Sequence, residues 1–249
     1  MKKVAIITGG AGQLGSSLCA NFDKAGYITI MADLSIEVCK KRIKSLKLKN
    51  TYPVELDVTN INSISSAFKT IYKKYKHIDV LVNNAGIAIF TSFKNRTFEE
   101  FDKVMKVNVY GTFFCTQCAL KYMEKQENGG RIINIGSIYG VVSPDPRIYG
   151  NSGRNSSEVY GASKAAIIQM TKYFAVHIKN KKILVNCVSP GGIFNNQQKH
   201  FIKNYEYKTP LGRMAHENEI AKVVLFLCSD DATYITGQNI IVDGGFTIW

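Results

Sequence analysis

Tyr160 and Lys164 stand four residues apart in the run Tyr-Gly-Ala-Ser-Lys. On a helix that spacing advances about 400°, which puts a phenol and an ammonium on neighbouring turns of one face. A nearby cation favours phenolate over phenol, so such a tyrosine can exchange a proton near neutral pH. Alone, the pair also describes an ordinary solvated helix face. A second cluster, Thr8-Gly9-Gly10-Ala11-Gly12-Gln13-Leu14-Gly15, follows a short apolar run and leads straight into a helical pattern. Its glycines let the backbone turn tightly and approach a pyrophosphate, whose charge suits a helix N-terminus. Asp33 ends the next apolar run, where a carboxylate accepts hydrogen bonds from ribose hydroxyls and repels a 2′-phosphate. No Arg or Lys lies in the 10–15 loop or directly after Asp33, which favours NAD over NADP as the cofactor.

These residues need a scaffold. Apolar runs rich in Val and Ile predict strands at 3–8, 27–32, 51–56, 78–82, 131–136, 183–188 and 239–242. They are nearly continuous in apolar residues, as strands covered on both faces should be. Helix-length patterns fall between them at 14–24, 35–46, 61–75, 98–126, 159–179 and 217–228, and Thr97-x-x-Glu100 makes a capping box for the fourth. Strict alternation predicts a single α/β domain over 1–249, a Rossmann-type doubly wound sheet of about seven parallel strands with helices on both faces. Ligands of such sheets sit at the carboxyl ends of the strands.

Composition narrows the function classes. The formal net charge is +13, but the lysines are dispersed over helix faces, so nucleic acid is not an expected partner. No apolar run is long enough to span a bilayer, and the N-terminal run reads as a first strand, which points to the cytoplasm. The six cysteines lie in apolar stretches and are expected to be reduced core residues, Cys115-x-x-Cys118 included. The four histidines form no ligand pattern, and no metal is expected.

The chain resembles the short-chain dehydrogenase/reductase family over essentially its whole length. The resemblance rests on Thr8–Gly15, Asp57-Val58, Asn83-Asn84-Ala85-Gly86, Asn108, Ser137, Tyr160-x-x-x-Lys164, Pro190-Gly191 and Val242-Asp243-Gly244-Gly245, in that order and spacing. It implies a catalytic set of Asn108, Ser137, Tyr160 and Lys164. Tyr160 would be the general acid/base and Ser137 would hydrogen-bond the substrate oxygen. Lys164 would bind the nicotinamide ribose and lower the Tyr160 pKa, and Asn108 would hold a water in a proton relay. It further implies a dinucleotide held by Gly9, Gly12, Gln13, Leu14, Gly15, Asp33, Asp57, Val58, Asn83, Asn84, Ala85 and Gly86. At the nicotinamide end would stand Tyr160, Lys164, Pro190, Gly191 and Ile193. Members commonly pair their fourth and fifth helices, so a homodimer or homotetramer is expected.

Two departures stand out. Gln13 occupies a position that is glycine in the common pattern of this branch, and Ser137 and Tyr160 are about ten residues further apart than usual. The extra residues form an inserted loop at 143–158, whose Arg147 and Arg154, with Tyr139 just before it, are candidate substrate contacts for a polar, even anionic, molecule; a solvated surface loop is the equal alternative. A polar lid is expected at 194–209. The tail resembles that of 3-oxoacyl-carrier-protein reductases, while the 143–149 stretch is similar to members that modify sugars of bacterial surface glycans. The leading expectation is an NAD(H)-dependent oxidoreductase that interconverts a secondary alcohol and a ketone on a small polar molecule, a sugar derivative among them. A 3-oxoacyl-thioester reductase is the alternative enzyme, and a nucleotide-binding regulator the alternative outside catalysis.

Overall fold

A computed structural model of the chain describes residues 2–150 and 156–249. Seven parallel strands form one sheet: β1 (Val4–Thr8), β2 (Ile28–Asp33), β3 (Thr51–Glu55), β4 (Val80–Asn83), β5 (Gly130–Ile135), β6 (Ile183–Pro190) and β7 (Asn239–Val242). Their order is β3-β2-β1-β4-β5-β6-β7, so the direction of winding reverses between β1 and β4. The crevice at that reversal, beyond the carboxyl ends of the strands, is where such sheets bind ligands.

Burial on both faces explains the apolar runs. Val4 and Ile6 of β1 join one core with α3 (Ile61–Tyr75), α5 (Gly111–Met123) and α6 (Glu158–His177). Ala5 and Ile7 join the opposite core with α1 (Gln13–Lys24), α2 (Ile36–Ser45) and α8 (Glu217–Leu227). Side chains of a strand alternate between faces, so a strand covered twice has no polar side. All six cysteines are buried free thiols, and Cys115 and Cys118 fill the first core, as expected.

The segment 98–126 departs from the predicted single helix. It comprises α4 (Phe98–Met105), a π turn over Lys106–Tyr110 and then α5. A π turn widens the helix by one residue, a distortion that hydrophobic periodicity does not reveal. It is centred on Asn108, whose buried amide bonds the Ile87 main chain instead of facing solvent. The capping box at the start of α4 forms as predicted, between Thr97 and Glu100.

Arg96 ties this region to the N-terminus of α6. Its side chain is 6% exposed and bridges Glu100 at 3.2 Å and Glu158 at 2.9 Å. The same guanidinium donates to the carbonyls of Ile89 and Thr91 and to the hydroxyl of Ser157, which caps α6 by accepting from Tyr160 N. Only a planar fork of five donors meets so many acceptors at once. Arg96→Ala should therefore lower the thermal midpoint by about 5 °C. Arg96→Lys, which keeps the charge but not the fork, should recover less than half of that loss in a parallel melt.

Candidate active site

The turn from β1 into α1 forms the floor of the site. A Cβ on Gly15 would come 2.1 Å from the Gly9 carbonyl oxygen, so only glycine lets α1 begin so close to the strand end. Thr8 and Asn84 join this turn to the end of β4: Asn84 Nδ2 donates to the Thr8 and Gly9 carbonyls at 2.9 and 3.0 Å, and the Thr8 hydroxyl accepts from Asn84 N and Ala85 N. An outer cleft of about 850 Å³ opens above, lined by Gly9, Gly12, Gln13, Leu14, Gly15 and Asp33, with Asp57, Val58, Asn84, Ala85 and Gly86 further along. Asp33 is held in place by accepting from Ala11 N at 2.9 Å and Leu34 N at 2.8 Å. Lys103 and Lys106 lie on the cleft wall as well, with Lys106 paired to Asp102 at 2.7 Å.

Leu14, Asn84, Gly86 and Ile87 also border a second, inner cleft of about 410 Å³, so the two are continuous. Ser137, Tyr160, Lys164, Pro190, Gly191 and Ile193 line the inner part. A glycine floor, a carboxylate at the end of β2 and an extended cleft suit a dinucleotide laid across the sheet's switch point. Thus the candidate cofactor residues are brought together along one groove. Asn83 is the exception: it turns away, donating to Thr116 Oγ1 and Asn134 Oδ1 at 2.9 Å each, inside the layer between the sheet and α5. It braces β4 and β5 instead of lining the cleft.

At the inner end the catalytic candidates converge. Lys164 is buried, with Nζ donating to the Ile135 carbonyl at 2.7 Å and lying 5.5 Å from the centroid of the Tyr160 ring. Burial lowers the Lys164 pKa to about 8, countered in part by the nearby Cys187 thiol. Burial raises that of the Tyr160 phenol, and a hydrogen bond with Ser137 opposes the rise. The expected lowering of the Tyr160 pKa by Lys164 is not seen: burial shifts the phenol upward, and the group that opposes the shift is Ser137. Asn108 Oδ1 accepts from Ile87 N at 2.8 Å, and its Nδ2 donates to Ser163 Oγ at 2.9 Å. Gly86 sits between this amide and the lysine: a Cβ there would be 3.4 Å from both Asn108 Oδ1 and Lys164 Nζ.

The inserted loop contributes differently from expectation. Arg147 does not reach the cleft. Its side chain is 87% exposed and folds back onto Asp145, with Nη2–Oδ2 at 2.7 Å. The half-buried Asp145 carboxylate, held far below the usual range chiefly by Arg147, also pairs with Lys208 at 3.1 Å. Arg154 lies outside the described residues. Among the described residues the loop contributes Tyr149 and Ser156 to the cleft, beside the expected Tyr139. The Tyr139 and Tyr149 hydroxyls lie 3.1 Å apart.

Within the expected lid lies a helix, α7 (Lys199–Lys208), which packs Phe201 and Tyr205 into the same wall. Its polar composition conceals this, although the spacing of Phe201, Ile202 and Tyr205 is a helical signal. Among the described residues, Lys164 is the one charged side chain in the inner cleft, whose far wall is aromatic: Phe90, Tyr139, Tyr149, Phe201 and Tyr205.

The chain is similar to known proteins over nearly its whole length. A family model described as enoyl-(acyl carrier protein) reductase matches residues 10–247. A 3-oxoacyl-(acyl-carrier-protein) reductase of Thermotoga maritima is 37% identical, the match covering 99% of this chain and 98% of that one. A cyclopentanol dehydrogenase of Comamonas is 32% identical over 98% and 97% of the two chains. A crystal structure of a short chain dehydrogenase from Leptospira borgpetersenii with bound NAD+ superposes with a TM-score of 0.88 and 43% identity, covering 99% of this chain and 93% of that one. With its seven-stranded parallel sheet and its Tyr160–Lys164 pair set at the switch-point cleft, the chain belongs to the short-chain dehydrogenase/reductase family and is an oxidoreductase of CH–OH and C=O groups.

Proposed function

We propose that the protein is an NAD(H)-dependent dehydrogenase that interconverts a compact, uncharged secondary alcohol and its ketone. The observation that carries this reading is the meeting of Tyr160, Ser137 and Lys164 where a glycine-floored cleft joins an aromatic-walled one. When bound, the dinucleotide supplies the hydride acceptor or donor. The chain's part is to hold the substrate oxygen and move its proton. Tyr160 Oη gives that proton in reduction and takes it in oxidation, and the Ser137 hydroxyl bonds the same oxygen. The Lys164 ammonium beneath favours the phenolate side of the exchange, and Asn108 keeps Ile87 and Ser163 in place beside it.

Asp33 at the end of β2 supports NAD over NADP, in line with the bound NAD+ of the Leptospira relative. An aromatic wall with paired tyrosine hydroxyls suits a ring carrying hydroxyl groups, a neutral sugar derivative included, and among the described residues it offers an anion only Lys164. A 3-oxoacyl-thioester reductase is the second reading, favoured by the Thermotoga relative. Turnover of cyclic and short secondary alcohols against 3-oxoacyl thioesters, with both cofactors, separates the two. For assembly we infer a homodimer or homotetramer, since α5 and α6 leave Phe113, Tyr173 and Val176 exposed.

Three outcomes test the reading. Tyr160→Phe should reduce kcat/KM by about a thousandfold while NADH affinity measured by fluorescence changes less than about twofold; retained turnover would remove Tyr160 from the mechanism. In the pH profile, kcat/KM for ketone reduction should be flat below about 8 and fall above it, because the free enzyme loses the Lys164 proton there while the raised Tyr160 keeps its own. Lys164→Arg should move that falling limb upward. Asp33→Asn, which keeps the acceptor for Ala11 N and removes the charge, should lower the NAD/NADP ratio of kcat/KM by about tenfold.

A further inference from the structure

Gln13, the residue that departs from the common glycine pattern, spans two parts of the site. It is the first residue of α1 and lines the outer cleft beside Gly12 and Gly15. Its side-chain Nε2 donates to the Phe194 carbonyl at 2.7 Å and lies 3.4 Å from Glu217 Oε2. Phe194 opens the lid segment. Its N–H donates to the Ala215 carbonyl at 2.9 Å, and the preceding residue, Ile193, accepts from Gln197 Nε2 at 2.8 Å. Ile193 and Gln197 both line the inner cleft. One amide therefore connects the loop that would grip the pyrophosphate to the root of the lid that walls the substrate. Glycine at this position has no donor to make that connection.

We propose that Gln13 is a positioning residue that couples dinucleotide grip to the order of the lid. An anion at the start of α1 is held by the free N–H groups of the first turn, which fixes the backbone from which the Gln13 side chain projects. The Phe194 carbonyl, and with it Ile193 and Gln197, is then held against the cleft. Coupling of this kind is reciprocal, so an ordered lid tightens the grip by the same factor. A single neutral hydrogen bond carries a factor of about five.

This inference rests on the dinucleotide reading above. Its test is hydrogen exchange of the 194–209 amides in the full-length protein, with and without NADH, alongside the NADH dissociation constant. Gln13→Glu keeps the shape but cannot donate to a carbonyl, and Gln13→Ala removes the side chain without adding charge. Both lids should exchange about fivefold faster without cofactor, the Gln13→Ala protein should bind NADH about fivefold more weakly, and Gln13→Lys, which restores a donor, should recover lid protection. Unchanged lid exchange in both variants, with NADH binding intact in the parent protein, would overturn the coupling alone. Weakened NADH binding with an unchanged lid would do the same, by making Gln13 a cofactor contact only. A parent protein that binds no dinucleotide would overturn the cofactor reading together with the coupling.

Discussion

An ammonium buried at the carboxyl end of a parallel sheet has to be met by fixed oxygen atoms, because leaving water costs a charge several kcal/mol unless dipoles replace it. Lys164 is that ammonium. The Ile135 carbonyl at 2.7 Å meets it at the end of β5. The site is built around the space it needs. Gly86 leaves room on one side, Asn108 holds Ile87 and Ser163 around it, and the π turn between α4 and α5 brings that asparagine to the right depth. Tyr160, one helical turn earlier, then projects over the same point.

Burial acts in opposite senses on an acid and a base, and this decides which group titrates near neutrality. The phenol is pushed up and the ammonium down to about 8, so in the free site the lysine loses its proton first. Ser137 moderates the tyrosine through its hydrogen bond. Desolvation thus keeps the proton on Tyr160, and the lysine charge is present on the acid side of about 8.

The wall opposite this pair is assembled from two segments that depend on each other. The inserted loop turns on Asp145, which pairs with Arg147 in the loop and with Lys208 of α7. Asn204 of α7 donates to the Ile148 carbonyl, and Tyr149 packs against Phe201 with ring centroids 5.3 Å apart. Asp145 and Arg147 of the loop are engaged in this attachment, and Tyr149 lines the cleft. The lid helix is thereby held by the loop, and Gln13 bonds Phe194 at the start of the lid segment; the described residues of the wall opposite Lys164 are uncharged.

The strands, their parallel arrangement and the facing of Tyr160 and Lys164 were legible in the sequence because each follows from local pattern: continuous apolar runs, helix-length amphipathic segments and a four-residue spacing. The glycine loop and Asp33 were legible for the same reason, since each ends a strand whose place could be counted. Long-range choices were not. Arg147 reads as a substrate cation until its exposure and its bond to Asp145 are known. Asn83 and Asn84 are indistinguishable in sequence, yet one faces the core and the other the cleft because successive residues at a strand end point to opposite sides. Arg96, the π turn at Asn108 and the bond from Gln13 to Phe194 carry no local signature. They join segments 21 to 181 residues apart, and only the packed chain decides which of its many polar groups become neighbours.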